Sequence, residues 1–328
     1  MSEAPLVKTV SISTVNGPCA ASAVHGAVLP REHLRSDLRW AIGVPSDPHR
    51  WLDEEQAVAG ELRELRRSDG LGLVVELSCI GMGRDATTMS RIAACSRVAV
   101  VAGTGFFAGP FTPSWALDAD VETLTRYLLT EINDGLDGTG SRPGVIGEIG
   151  AWGEEPTSAE ERCATAAARA ALSSGLPVAT HHRGGLPLME ILLGEGLPAH
   201  RISVADAGTD PVTPRKIVEL GGYVCLTSLG TDRLRDALDL IEAGYAHRLL
   251  LSSGLSRVSE IERYGGGGYS HLFRTFLPRL REAGVSEGTI HTIVHDNPLR
   301  WLTCAERYVP PAAPDAGRVL ADQGTGQV

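Results

Sequence analysis

The chain has 328 residues, and its 30 basic against 40 acidic side chains give a formal charge of −10. That length can bury one large core, and that charge argues against a nucleic-acid or anionic-membrane surface as partner. Only Lys8 and Lys216 are lysines, so lysine chemistry has almost nothing to run on.

Met1 to Pro5 shows no signal-peptide pattern, and no apolar run reaches the ~18 residues of a membrane span. The six cysteines form no C-x-x-C, and they read as small core residues of a reducing cytoplasm. The first strand signal is Gly26–Leu29, leading into Pro30-Arg31-Glu32-His33. Alternation places Arg31 and His33 on one face and Glu32 on the other. Apolar runs then follow at 71–78, 97–104, 144–150, 177–182, 201–206, 222–228 and 248–254. Each is short enough for a strand buried on both faces.

Helical patterns separate most of these runs. Thr157 with Glu160, and Ser158 with Glu161, are alternative capping boxes before an alanine-rich run that stops at Gly175. Leu272, Phe273, Phe276, Leu277 and Leu280 make an apolar stripe at helical spacing, Ser286 or Thr289 opens the next helix, and Asn297-Pro298 opens the last. Eight strand signals alternating with helices predict an α/β fold, a (β/α)8 TIM barrel occupying 1–308 as a single domain, with 309–328 as a loose tail. A doubly wound sheet is the competing arrangement.

In a barrel the reactive side chains sit at the carboxyl ends of the strands. Those ends supply Arg31 and His33, Ser78, Thr104, Glu148, His181 and His182, Asp206, Ser228 and Ser253. Glu148 closes an apolar run, where a carboxylate needs a cation, a metal or a proton. Gly81-Met82-Gly83 fits a loose dinucleotide pattern, but the strand after it ends without an acid for a ribose, so a tight loop is expected. The glycines after Arg263 and Tyr264 read as a lid or a plain loop, lacking the Lys and Ser/Thr of a phosphate loop.

Five stretches, taken in order, resemble the phosphotriesterase-like family of the amidohydrolase superfamily: Ile80–Asp85, Val101–Phe107, Val145–Gly150, Tyr264–His271 and Asp296-Asn297-Pro298. The likeness runs from about Val15 to about Thr303. It implies a (β/α)8 barrel, a hydrolase of lactones, esters or phosphotriesters, divalent metals bridged by a carboxylated lysine or a glutamate, and a possible homodimer. For this chain a small ester, lactone or amide is the expected substrate. Carried over by position, the bridging carboxylate matches Glu148, and the histidines ending the fifth and sixth strands match His181 and Asp206. The His-x-His of the first strand becomes Arg31-Glu32-His33, and the aspartate ending the eighth strand falls on Gly254.

A degenerate metal site is therefore expected, holding zero or one divalent ion, with zinc first, on Glu148, His181 and Asp206. Arg31, His33 and His182 are the candidate catalytic groups. Phe107 (where many lactonase-like members carry tyrosine), Ser253, Tyr264 and Tyr269 are candidates to face a small-molecule substrate. A metal-independent acid–base isomerase, lyase or cyclase in the same pocket is the alternative, and a non-catalytic binding protein a third.

Overall fold

The structure, a computed structural model, describes residues 10–208 and 211–304. Eight parallel strands stand in sequence order around a barrel: β1 Ala27–Glu32, β2 Leu71–Glu76, β3 Ala99–Thr104, β4 Val145–Gly150, β5 Val178–His181, β6 Ile202–Ala205, β7 Tyr223–Leu226 and β8 Leu249–Leu251. The strands run shorter than the apolar stretches, because the barrel ladder stops where the loops begin to splay. The expected tail at 309–328 lies outside the described residues.

Helices wrap the outside: α1 Glu55–Ser68, α2 Ala86–Ser96, α3 Val121–Asp134, α4 Ser158–Ser174, α5 Leu186–Gly194, α6 Val212–Glu219, α7 Thr231–Glu242 and α8 Leu277–Glu282. Of the two capping boxes before α4, Thr157 with Glu160 is the one used, and Gly175 ends the helix in the left-handed region at φ 83°. Its buried face is almost all alanine, which lets the helix lie close on the barrel and its neighbours. Asp85, Asp120 and Ser286 cap their helices more simply, each with a side-chain oxygen accepting from the amide three residues on.

Alternation along the strands separates two packed layers. Val28, Leu73, Val101, Val145, Ala179 and Leu250 belong to the cluster that fills the barrel. Their sequence neighbours Leu29, Val74, Val100, Ile146, Val178 and Leu249 pack outward under the helices. An antiparallel hairpin, Ser11–Thr14 with Gly17–Ala20, adds Ile12 to the inner cluster. The sequence reading did not foresee it; its two-residue loop is Val15-Asn16, and Gly17 opens the second strand at φ 109°.

Among the described residues, three register shifts interrupt the ladders. The first is on β2, which advances two residues from Leu71 to Leu73 while β1 advances one. The other two put an extra residue in β1 and in β4. Between Leu29 and Glu32, β1 advances three residues while β2 advances two. Between Ile146 and Ile149, β4 advances three while β5 advances two. Each extra residue reverses which face the following side chains take. Pro30 and Gly147 sit at these bulges, and a Cβ on Gly147 would stand 2.6 Å from the Ala179 carbonyl oxygen.

The seam between β8 and β1 is sewn by the buried Glu32 carboxylate. It accepts from the Ser252 hydroxyl at 2.7 Å and from the Gly254 and Leu255 amides at 2.9 Å each. The Gly81-Met82-Gly83 turn is a tight loop, since a Cβ on Gly81 would overlap the Phe111 carbonyl and one on Gly83 would press on Asp37.

Candidate active site at the barrel mouth

The bulges in β1 and β4 aim Arg31 and Glu148 at each other across the carboxyl ends of the strands. The guanidinium grips the carboxylate with both arms, Nε to Oε1 at 2.6 Å and Nη2 to Oε2 at 3.0 Å. Both side chains are buried, with 8% and 1% exposed. Burial alone would raise the Glu148 pKa, but the charge of Arg31, with His181 and His33 beside it, holds it at about 2. The glutamate is ionised and the pair is a fixed salt bridge.

Two imidazoles flank the pair. His33 is sealed in, and burial followed by the Arg31 charge lowers its pKa to about 3, so it is neutral. Its Nδ1 lies 3.0 Å from the Ser78 hydroxyl, which itself donates to the Arg35 carbonyl. The proton of His33 is therefore on Nδ1, and Nε2 faces Glu148 Oε2 at 4.0 Å. In His181 the pattern is reversed. Arg31 Nη2 donates to Nδ1 at 3.0 Å, so the ring proton sits on Nε2, 3.5 Å from Asp206 Oδ2. Burial is the largest influence on His181 and lowers its pKa.

Asp206 is the most open of these groups, with 35% of its side chain exposed and its backbone left-handed at φ 57°. Arg233 Nη2 donates to its other oxygen at 3.1 Å and is itself braced by Asp236 at 3.0 Å. Sequence reasoning missed Arg233, because it sits in the first turn of α7 and not at a strand end.

The three residues expected to share a metal are gathered here, but they do not converge. Glu148 faces His181 Nδ1, at 3.6 Å, while Asp206 faces Nε2 on the opposite edge of the ring. A single ion cannot touch both carboxylates and one nitrogen of a ring that stands between them. The Arg31 guanidinium fills the space between Glu148 and His181. At Gly254, φ is 72° and an added Cβ would lie 2.7 Å from Thr227 Cβ and 3.2 Å from Arg31 Nη1.

Phe107 meets the edge of His181 at 5.6 Å between ring centroids. Beyond it Phe111 and Trp152 continue an aromatic wall outward, each pair 5.4 Å apart, and the Arg50 guanidinium lies 5.7 Å from both outer rings. The signal for this wall was present as three aromatics in the loops after β3 and β4, without a spacing rule to link them. On the opposite side, Ser253 and Gly254 line a cleft of about 430 Å³ with Ser228, the Gly266–Gly268 loop and His271.

Three expected site residues are placed elsewhere. His182 turns from the mouth, because its Nε2 bonds the Gly153 carbonyl at 2.9 Å, and its Nδ1 is sealed without a partner. Tyr269 is fully buried and donates to the His33 carbonyl at 2.7 Å, which makes it a strut beneath the site. Tyr264 is half exposed and donates to Glu54 at 2.8 Å.

The model of the phosphotriesterase family matches residues 10–302. The phosphotriesterase homology protein of Escherichia coli (strain K12) is 31% identical over 289 residues, 84% of this chain and 98% of that protein. Its crystal structure, with phosphate in the active site, superposes with a TM-score of 0.80 over the same shares of both chains. The N-acetyltaurine hydrolase of Homo sapiens is 29% identical over 76% of this chain and 78% of that protein. A resiniferatoxin-binding protein from Rhodobacter sphaeroides superposes with a TM-score of 0.83 at 27% identity, over 90% of this chain and 96% of that one. Among the described residues, no helix is long and apolar enough to cross a membrane. The chain belongs to the phosphotriesterase family, and with it to the hydrolases of the amidohydrolase superfamily.

Proposed function

We propose that this chain hydrolyses a small amide, ester or lactone at the barrel mouth without a metal ion there. The observation that carries this reading is the triple grip of Arg31 on both oxygens of Glu148 and on His181 Nδ1. Those are the donors a divalent ion would need, and a fixed positive charge already uses them. The residues as arranged do not fit the metals of the family.

In this reading Asp206 is the general base, held by Arg233 and faced by the Nε2 proton of His181. It takes a proton from a water as that water attacks the carbonyl carbon. The charge developing on the carbonyl oxygen is met by Arg31 Nη1, the arm not engaged with Glu148 or His181. When the tetrahedral species collapses, Asp206 returns the proton to the departing alkoxide or amine, giving an acid and an alcohol or amine. Glu148 and His33 act on Arg31 and fix its plane. The relative named N-acetyltaurine hydrolase puts N-acyl amides first among substrates to try. Six free cysteines agree with action in the cytoplasm, and a homodimer is tested by light scattering.

The test is turnover of a panel of N-acyl amides, esters and lactones before and after exhaustive dialysis against a chelator. Activity is expected to survive chelation and to fall at least about 100-fold in Asp206→Asn. Activity lost on chelation and restored by zinc would overturn the metal-free mechanism.

A further inference from the structure

On the face where the strands begin, opposite the mouth, the last helical segment carries His291, His295 and Asp296. From these residues we propose a second, separate site, for a borderline divalent ion of the zinc class. One donor atom from each of the three lies within 4.8 Å of the others.

The backbone makes this trio possible. His291 and His295 are four apart and share a helix face, with their rings stacked at 4.8 Å. In a regular α-helix a residue five positions on would point about 140° away from the first. Here Thr292–Asp296 is a π-helical turn, closed by the Asn297 amide on the Thr292 carbonyl. Its wider turn brings position five back under position one, so Asp296 Oδ1 lies 3.7 Å from His291 Nε2. Pro298 lacks the N–H that would bond the Val294 carbonyl, which removes the rung a regular helix would use there.

Two of the three candidate ligands, His295 and Asp296, also have the supporting bonds that orient metal ligands. His295 Nδ1 lies 2.5 Å from the Gly26 carbonyl, which can only accept, so the ring proton is on Nδ1 and the Nε2 lone pair is free. Asp296 Oδ2 takes the Thr292 hydroxyl at 3.3 Å and Arg300 at 3.6 Å, leaving Oδ1 toward the histidines. Two imidazoles, one carboxylate oxygen and a water complete a tetrahedral set. Such an ion draws its donors to about 3.4 Å apart. His291, with 61% of its side chain exposed, is free to make that movement. An ion here would pin the last helix to the base of β1 through His295 and Gly26.

The site also bears on the mouth, because one zinc per chain measured on the whole protein would be misread as a metal at Glu148. The experiment titrates zinc into chelator-treated protein by calorimetry, using the wild type, His291→Ala, the double variant His291→Ala/His295→Ala, and Glu148→Gln. One equivalent is expected in the wild type and in Glu148→Gln, with affinity falling about 10- to 100-fold in His291→Ala and binding lost in the double variant. Cobalt in place of zinc should give the visible absorption of a tetrahedral N2O2 site in the wild type and in Glu148→Gln, and not in the double variant. No zinc uptake by the folded wild type, or full uptake by His291→Ala/His295→Ala, would overturn the proposal. Loss in Glu148→Gln alone would place the ion at the mouth.

Discussion

Replacing Arg31 by methionine should reverse the pH dependence of stability at the barrel mouth. Glu148 has a pKa of about 2 in the folded protein against an ordinary 4.5. At about 1.4 kcal/mol per pKa unit, that difference is about 3 kcal/mol of stability. It is fully present above pH 4.5 and is lost as the pH falls from there toward 2. Without the guanidinium, burial acts almost alone on Glu148 and lifts its pKa above 4.5. Stability is then intact below pH 4.5 and lost as the pH rises through the new value. At pH 8 the unpaired buried carboxylate should cost about 3–5 kcal/mol. At about 2 °C or more per kcal/mol, the melting temperature should fall by roughly 6 °C or more. Thermal melts by circular dichroism at pH 5, 6.5 and 8 should show the gap to wild type widening with pH. Arg31→Met/Glu148→Gln should recover much of it, because glutamine carries no charge to bury. An equal deficit at all three pH values, or no recovery in the double variant, would refute the electrostatic account of the pair.

Glu32 and Glu76 are buried with pKa values raised to about 7 and about 8, so the stability they contribute is intact below pH 4.5 and lost as the pH rises through 7 to 8. Glu76→Gln should flatten that decline in urea midpoints measured from pH 6 to pH 9. Gly254→Ala should cost about 1–3 kcal/mol in urea unfolding, through its positive φ and the contacts with Thr227 and Arg31. Asp206→Asn keeps a residue type that tolerates φ 57°, so its unfolding should shift by less than about 1 kcal/mol while kcat drops at least about 100-fold. Trp152→Ala, at the outer end of the aromatic wall, should raise KM several-fold at near-constant kcat for substrates with an apolar acyl or leaving group.

The barrel was legible because buried parallel strands read as short apolar runs, and because caps such as Thr157 and stops such as Gly175 mark the helices between them. The strand ends named most of the mouth, since Arg31, His33, Glu148, His181 and Asp206 all gather there. What a period of two cannot supply is the parity of a bulged strand. From Val28 on, strict alternation would send Pro30 and Glu32 inward and Arg31 outward; the extra residue in β1 exchanges them. Pro30 and Gly147 were the visible marks, since neither residue sits comfortably in a regular central strand. His182 was misplaced for a related reason. Adjacent histidines at a strand end must diverge, and which of them enters the mouth depends on where the chain turns, which is set by the bond to Gly153. The ring orientation of His181 lies beyond any sequence pattern, and it decides whether Glu148 and Asp206 can share an ion.

Arginine at position 31 and glycine at position 254 are coupled in physical terms. An arginine at 31 brings a long side chain whose Nη1 reaches the place where a side chain at 254 would begin, 3.2 Å from a Cβ there. An aspartate at 254 would have to displace that arm. Leaving the arm in place while adding a second carboxylate beside Glu148 would set two acids against one fork whose Nε and Nη2 are already spoken for. Glycine at 254 removes the clash, and its amide joins the seam by donating to Glu32 at 2.9 Å. Glu148 then has a permanent counter-ion, one that neither dissociates nor responds to a chelator. Charge balance at the mouth is thereby fixed by the chain itself.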